Sequence, residues 1–211
     1  LGLTAIPEYD RFTFNPKVYF YLNDKSTLHA GLNLISENRL GGDMKYEKGN
    51  GKYFELNKTN RLSTQLEYAS NITDNQKLVI RNSLNLFGRS MELPNYNFSG
   101  NQTSTYTEGN YSINNEKTDW VLGANLLTDQ FKEDIFQNNP ARDYAHTTIG
   151  LFAQNTYNAS EKFSIETGVR GDYHNEYGFF FLPKFSALYK INDHFSTRLG
   201  AGMGYKAPTI F

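Results

Sequence analysis

Phe195-Ser196-Thr197-Arg198-Leu199-Gly200-Ala201-Gly202-Met203-Gly204-Tyr205-Lys206 is the stretch that decides the fold. One set of alternate residues is Phe195, Thr197, Leu199, Ala201, Met203 and Tyr205. The other is Ser196, Arg198, Gly200, Gly202, Gly204 and Lys206. A period of two sustained over this length is a strand, not a helix. Its length carries more information than its period. About 9–11 tilted residues cross a bilayer, whereas ordinary strands run to five or six. One apolar face opposite a face of charge and glycine is the pattern of a wall between lipid and a wet or filled lumen.

The pattern recurs along the chain. Phe163, Ile165, Thr167, Val169, Gly171 and Tyr173 alternate with Ser164, Glu166, Gly168, Arg170 and Asp172. Leu28, Ala30, Leu32 and Leu34 alternate with His29, Gly31 and Asn33, and Trp120, Leu122, Ala124 and Leu126 with Val121, Gly123 and Asn125. Residues 62–68 and 185–191 behave likewise, and residues 11–22 read as one further strand. Leu78, Ile80, Leu84 and Leu86 keep the beat, with Asn82 as a polar intruder. Residues 106–113 carry little apolar signal around Glu108, Gly109 and Asn110. The expectation is an all-β chain, an antiparallel up-and-down meander of about ten long strands forming part of a transmembrane β-barrel. No linker or composition shift divides it, so residues 1–211 read as a single barrel segment.

Two kinds of connection alternate. Short polar turns fall at Asn23-Asp24-Lys25-Ser26, Asn71-Ile72-Thr73-Asp74-Asn75, Asn114-Asn115-Glu116-Lys117, Asn158-Ala159-Ser160-Glu161-Lys162 and Ile191-Asn192-Asp193-His194. Asn and Asp accept left-handed backbone and close local hydrogen bonds, which suits hairpins. Between them lie longer connections, at residues 37–58, 88–103, 129–146 and 174–182. Bacterial outer-membrane barrels have short periplasmic turns and longer external loops. The short rim is therefore assigned to the periplasm and the long rim to the outside.

Composition removes several function classes. Cysteine is absent, which excludes disulfides, thiolate metal sites and cysteine nucleophiles. No apolar run is long enough for a transmembrane helix. A formal net charge of −1 with no basic stripe argues against a nucleic-acid partner. The 16 Phe and 15 Tyr suit aromatic girdles at two membrane interfaces.

The end of the chain, Gly204-Tyr205-Lys206-Ala207-Pro208-Thr209-Ile210-Phe211, resembles the motif of TonB-dependent outer-membrane receptors, in which such a strand end is followed by an apolar pair and a Glu. Here the sequence stops where that Glu would stand. Gly150-Leu151-Phe152-Ala153-Gln154-Asn155, Glu166-Thr167-Gly168-Val169-Arg170-Gly171-Asp172-Tyr173 and Glu37-Asn38-Arg39-Leu40-Gly41-Gly42-Asp43 are similar to barrel segments of the same family. The resemblance implies a 22-stranded barrel around an N-terminal plug, of which this chain supplies about ten strands and no plug. It further implies a receptor that binds a scarce nutrient (iron chelate or siderophore, haem, cobalamin or glycan) at the outer rim. Energy would come from TonB through the plug. The expected partners are outer-membrane lipid, TonB through the plug and the nutrient ligand, and the expected location is the bacterial outer membrane.

No catalytic or metal motif appears, and the expectation is a non-enzyme with no cofactor and no metal site. His29, His146, His174 and His194 lack metal-ligand spacing. An alternative reading is a complete ten-stranded barrel ending in Phe211, acting as a small pore, adhesin or surface hydrolase. It requires residues 11–22 to pair with residues 195–205, and a hydrolase would require Ser90, Asp143 and His146 to converge. Under the receptor reading, loop aromatics and cations are the ligand contacts: Arg39, Tyr46, Tyr53, Tyr96, Arg142, Tyr144, His146 and Tyr177. Charges on the polar phase are expected to face the lumen or plug: Glu67, Arg81, Glu166, Arg170, Asp172, Lys184 and Arg198, with Lys190 beside them.

Overall fold

The computed structural model describes residues 2–46, 52–134 and 141–210. They form one antiparallel sheet of eleven strands. In chain order these are β1 (Glu8–Phe14), β2 (Lys17–Asn23), β3 (Ser26–Gly42), β4 (Phe54–Thr73), β5 (Gln76–Leu93), β6 (Tyr96–Asn114), β7 (Thr118–Glu133), β8 (Tyr144–Asn158), β9 (Phe163–His174), β10 (Gly178–Lys190) and β11 (Ser196–Gly202). Each strand from β3 onward pairs with the next in sequence.

The expected single strand over residues 11–22 is split. β1 and β2 lie end to end along β3, with Phe14 opposite Leu34 and Lys17 opposite Gly31. Pro16 sits at the break, where it has no N–H to donate, although its carbonyl still accepts from Leu32 N at 3.0 Å. The sheet therefore holds ten strand positions. It is not closed among the described residues: β1 and β2 pair with β3, and β11 with β10. The pairing of residues 11–22 with 195–205 that a complete ten-stranded barrel needs is not made. Phe211 lies outside the described residues.

The two faces follow the sequence alternation. Leu151, Val169 and Leu199 on the apolar face are 64%, 49% and 74% exposed, and buried apolar side chains among the described residues are confined to Val79, Phe98 and Phe131. A sandwich would cover that apolar face with a second sheet. Here it is bare, as a lipid-facing surface must be. Outward aromatics edge it: Trp120, Tyr157 and Tyr189 toward the short turns, Tyr173, Phe179 and Phe181 toward the other rim. The polar intruder Asn82 is satisfied on this face by Thr107 Oγ1 at 2.8 Å, and Thr105 and Thr128 hydroxyls meet at 2.6 Å one strand on. That threonine-rich patch is why residues 106–113 lack apolar periodicity although β6 is among the longest strands.

The short turns use the predicted chemistry. Asn192 Oδ1 accepts from His194 N and Phe195 N at 3.0 and 2.8 Å, and Asn23 Oδ1 from Lys25 N at 2.9 Å. The long connections are mostly strand. β5 and β6 run on to a turn at Pro94 and Asn95, so the expected loop over residues 88–103 is a hairpin. Residues 174–182 shrink to a turn at 175–177 that enters β10 through Gly178, whose φ of 79° favours glycine. With 20 residues in β4 and 19 in β6, the strands exceed what a bilayer needs, and the surplus builds a wall on the long rim.

Tyr205 departs from the alternation. The ladder ends at Gly202, and Tyr205 turns to the polar face, stacking on Phe180 with centroids 3.9 Å apart.

Candidate functional site

Register, not sequence proximity, assembles the polar face. Along the long rim of β6–β9, aromatic and imidazole rings form a ladder. Successive centroid distances are 6.4 Å for Phe98–Phe131, 5.6 Å for Phe131–Tyr144, 4.6 Å for Tyr144–His146, 4.9 Å for His146–His174 and 4.7 Å for His174–Tyr177. Phe131 is fully buried, His174 is 2% exposed, and Tyr177 at the end is 42% exposed. A polar group backs the ladder. Gln102 Nε2 donates to both Asp129 oxygens at 2.8 and 3.0 Å and to the Tyr144 hydroxyl at 3.1 Å, while Ser104 Oγ donates to Asp129 at 3.0 Å. His174 Nδ1 accepts from Glu176 N and Tyr177 N at 3.1 and 3.3 Å, which fixes the turn into β10.

Arg142 closes one end of this rim. It pairs with Glu133 through Nε at 2.8 Å, reaches the Tyr96 hydroxyl at 3.4 Å, and lies over the Phe98 ring at 5.4 Å. The Glu133 carboxylate and then the Tyr96 hydroxyl push the guanidinium pKa further up. Five of the eight expected ligand contacts thus come together: Tyr96, Arg142, Tyr144, His146 and Tyr177. Three do not. Arg39 is on β3, bound to Glu37. Tyr46 stacks on Phe54 at 4.7 Å, and Tyr53 is exposed while its carbonyl accepts from Asp43 N at 2.9 Å. Phe98, Gln102, Asp129 and Phe131 were missed because they sit inside strands; the continuing period of two was the available signal.

Below the rim a hydrogen-bonded chain crosses the polar face. Arg81 Nε donates to Glu67 at 2.7 Å and its Nη1 to Glu108 at 3.2 Å. Tyr106 Oη donates to Glu108 at 2.5 Å, and Asn125 Nδ2 to Tyr106 at 3.4 Å. Arg170 donates to Asn125 Oδ1 at 3.3 Å and to Asp172 at 2.7 Å, and Tyr205 donates to Asp172 at 3.2 Å. Glycine makes the crossing possible. A Cβ on Gly150 would sit 2.2 Å from Asn125 Oδ1 and 2.4 Å from Asp172 Oδ1. Lys184 pairs with Glu166 nearer the short rim, and Arg198 and Lys190 are exposed. The expected lumen charges are therefore satisfied in large part by one another within the sheet, at modest cost because paired charges lose less on leaving water.

A catalytic constellation is not formed by the residues considered for it. Ser90 lies on the apolar phase of β5, opposite the face that carries His146. Asp143 accepts from Glu133 N at 2.8 Å. No group of three or more His, Asp or Glu able to hold a metal occurs among the described residues.

Comparison with solved structures finds the same sheet in receptors and transporters. The ferric enterobactin receptor PfeA of Pseudomonas aeruginosa, in a mutant form, superposes with a TM-score of 0.74 at 13% identity, over 95% of this chain and 34% of that one. The siderophore receptor PirA of Acinetobacter baumannii gives 0.74 at 15% identity, over 95% and 34%. The copper transporter OprC gives 0.76 at 11% identity, over 97% and 38%. This chain thus spans about a third of the structures it matches. A search of curated proteins gave no match. The family model described as "TonB dependent receptor-like, beta-barrel" matches residues 3–211, and the chain belongs to that family.

Proposed function

We propose that this chain is a wall segment of an outer-membrane receptor that imports a scarce nutrient, an iron chelate or siderophore in the first place, with haem, cobalamin or glycan as the other classes. Under this reading residues 1–211 are a single barrel segment. A plug outside them fills the lumen and relays energy from TonB. The role is binding and transport, not catalysis. The observation that carries it is the sorting of the polar face into a ring ladder at the long rim and a charged chain beneath it. A ligand would be met by the exposed end of the ladder, around Tyr177, Tyr96 and Arg142, and the charged chain would meet the plug. The family match supports the barrel, and the receptor names of PfeA and PirA support the cargo class.

The test is uptake by the source cells. A panel of radiolabelled ferric siderophores, haem, cobalamin and oligosaccharides is offered to cells with and without the protein that carries this chain. Loss of accumulation of one cargo on deletion, matched by loss when TonB is inactivated, is the expected result. Accumulation of the whole panel unchanged by deletion would refute the reading.

A further inference from the structure

The polar face has a second rim cluster, on β1–β5, that the ring ladder does not reach. In one cross-strand row Arg11 faces Glu37, Glu37 faces Thr59 and Thr59 faces Arg89. The row nearer the rim places Tyr9, Arg39, Asn57 and Met91 side by side, and the row below places Ile35, Arg61 and Phe87. Glu37 is 9% exposed and takes both Arg11 and Arg39. Arg89 is held differently. Its Nε and Nη2 donate to the neutral Asn57 Oδ1 at 3.3 and 2.9 Å, and Asn57 Nδ2 donates to Glu55 at 2.5 Å. Arg61 lies over the Phe87 ring at 4.9 Å. Among the described residues neither Arg89 nor Arg61 is paired with a carboxylate.

Arg11, Arg39, Arg61 and Arg89 thus share this corner with Glu37 and Glu55, leaving an excess of positive charge. A cavity of about 440 Å³ opens beside Arg39 and Arg89, with Glu37, Glu55, Asn57 and Thr59 also in its lining, while Arg11 and Arg61 stand outside it. That is the size of a small-ligand site. Its guanidiniums are already fixed by Glu37 and Asn57, so little side-chain entropy is lost when a ligand arrives. The alternation in the Arg11 row is plus, minus, neutral, plus. A planar carboxylate between Thr59, Arg39 and Arg89 would complete it in the way Glu37 completes the first gap. The fork of an arginine suits two coplanar oxygens.

We infer that this corner is a recognition subsite for a carboxylate-bearing ligand, with Arg89 and Arg39 as its paired cations. The inference deepens the uptake reading and rests on it only for physiological purpose. The ladder and this corner stand on different strands of the same rim.

The experiment is calorimetric titration of citrate into the purified outer-membrane protein that carries this chain, at low salt. Saturable binding is expected. Arg89→Gln and Arg39→Gln each weaken it by about ten- to a hundredfold, the loss for a hydrogen bond to a charged partner. Arg89→Lys keeps the charge, loses the fork and falls between. Lys190→Gln, at the opposite rim, leaves it unchanged, and the gel shift on boiling checks that each variant is folded. No saturable citrate binding, equal binding by folded Arg89→Gln, or inorganic phosphate binding as tightly as citrate would each overturn the subsite. Calorimetry needs no energised cell. A protein that binds citrate yet transports nothing would refute the uptake reading and leave the subsite standing.

Discussion

Tyr205 donates its phenolic hydrogen to Asp172 Oδ2 at 3.2 Å, tying the segment beyond β11 to the last turnward residues of β9. Asp172 is 2% exposed, and its other oxygen accepts from Arg170 at 2.7 Å. One carboxylate therefore holds a cation on its own strand and the end of the chain two strands away. Phe180 completes the clamp by stacking on the Tyr205 ring.

Removing that hydroxyl tests the clamp. Tyr205→Phe keeps the stack and loses one hydrogen bond to a charged group, about 1.5 kcal/mol or somewhat more. Asp172→Ala strands Arg170 as well, and about 3 kcal/mol is expected because a buried pair is broken from one side. Arg170 is 34% exposed, which keeps the figure at the low end of that range. The readout is the temperature at which the folded band on an unboiled gel is lost. An unchanged midpoint for Tyr205→Phe would mean that the hydroxyl anchors nothing.

Gly150 and Gly168 are two glycines on one face with opposite expectations. At Gly150 a Cβ would collide with Asn125 Oδ1 and Asp172 Oδ1, both on short buried side chains with nowhere to go. Gly150→Ala should cost about 1–3 kcal/mol by overpacking, and it should break the Arg170–Asn125 contact. At Gly168 the nearest atoms are at 3.7 Å, ordinary contact distance. Gly168→Ala should be neutral or stabilising by about 0.5 kcal/mol, since glycine inside a strand is entropically unfavourable. Equal losses at the two positions, measured by the same melting assay, would remove the steric explanation.

These two glycines also mark how far the sequence could be read. Alternation at Phe195–Lys206 and the Asn-rich turns at Asn23 and Asn192 are local signals, and the strands and the short rim follow from them. The long rim is harder because there the strands leave the bilayer. At Gly88, Ser90 and Glu92, and again at Asn97, Ser99 and Asn101, the outward face loses its apolar mark, so a hairpin reads as a loop. Pro16 hides a second way: it interrupts a strand without ending its alignment. The candidate sites depend on register over long hairpins. His146 meets His174, and Arg89 meets Asn57, only because the register holds over a long ladder, in β4–β5 from Asn71 to Leu56 once past the irregularity at Asn71 and Thr73. No spacing within the sequence encodes those meetings.

Arg81 sits between Glu67 and Glu108 on the two neighbouring strands, at 2.7 and 3.2 Å. Its side chain is 46% exposed, so the pairs themselves contribute little, about 1 kcal/mol or less. The informative quantity is salt dependence. Arg81→Met leaves two carboxylates facing each other with no cation between them. The variant should lose more stability at 20 mM salt than at 500 mM (concentrations of roughly these sizes bracket the useful range of screening). Adding Glu67→Gln to it should remove that dependence. A salt-independent loss would point to packing of the arginine stem instead.

The ring ladder separates stability from ligand contact along its length. Phe131 is fully buried between Phe98 and Tyr144, and Phe131→Ala should cost about 3–5 kcal/mol, the usual price of deleting a buried aromatic. Tyr177 is the exposed end, tilted against His174 at 4.7 Å and against His146 at 6.0 Å. Tyr177→Ala should leave the melting midpoint nearly unchanged, because little buried surface is lost. If the ladder is a ligand platform, the same change should raise the concentration for half-maximal cargo uptake by about tenfold, as truncation of an aromatic anchor does. Tyr177→Phe should restore most of it, since the ring supplies the contact area. Uptake unaffected by Tyr177→Ala, with Phe131→Ala merely unfolding the rim, would make the ladder a structural strut and move the search for the cargo to the arginine corner on β3–β5.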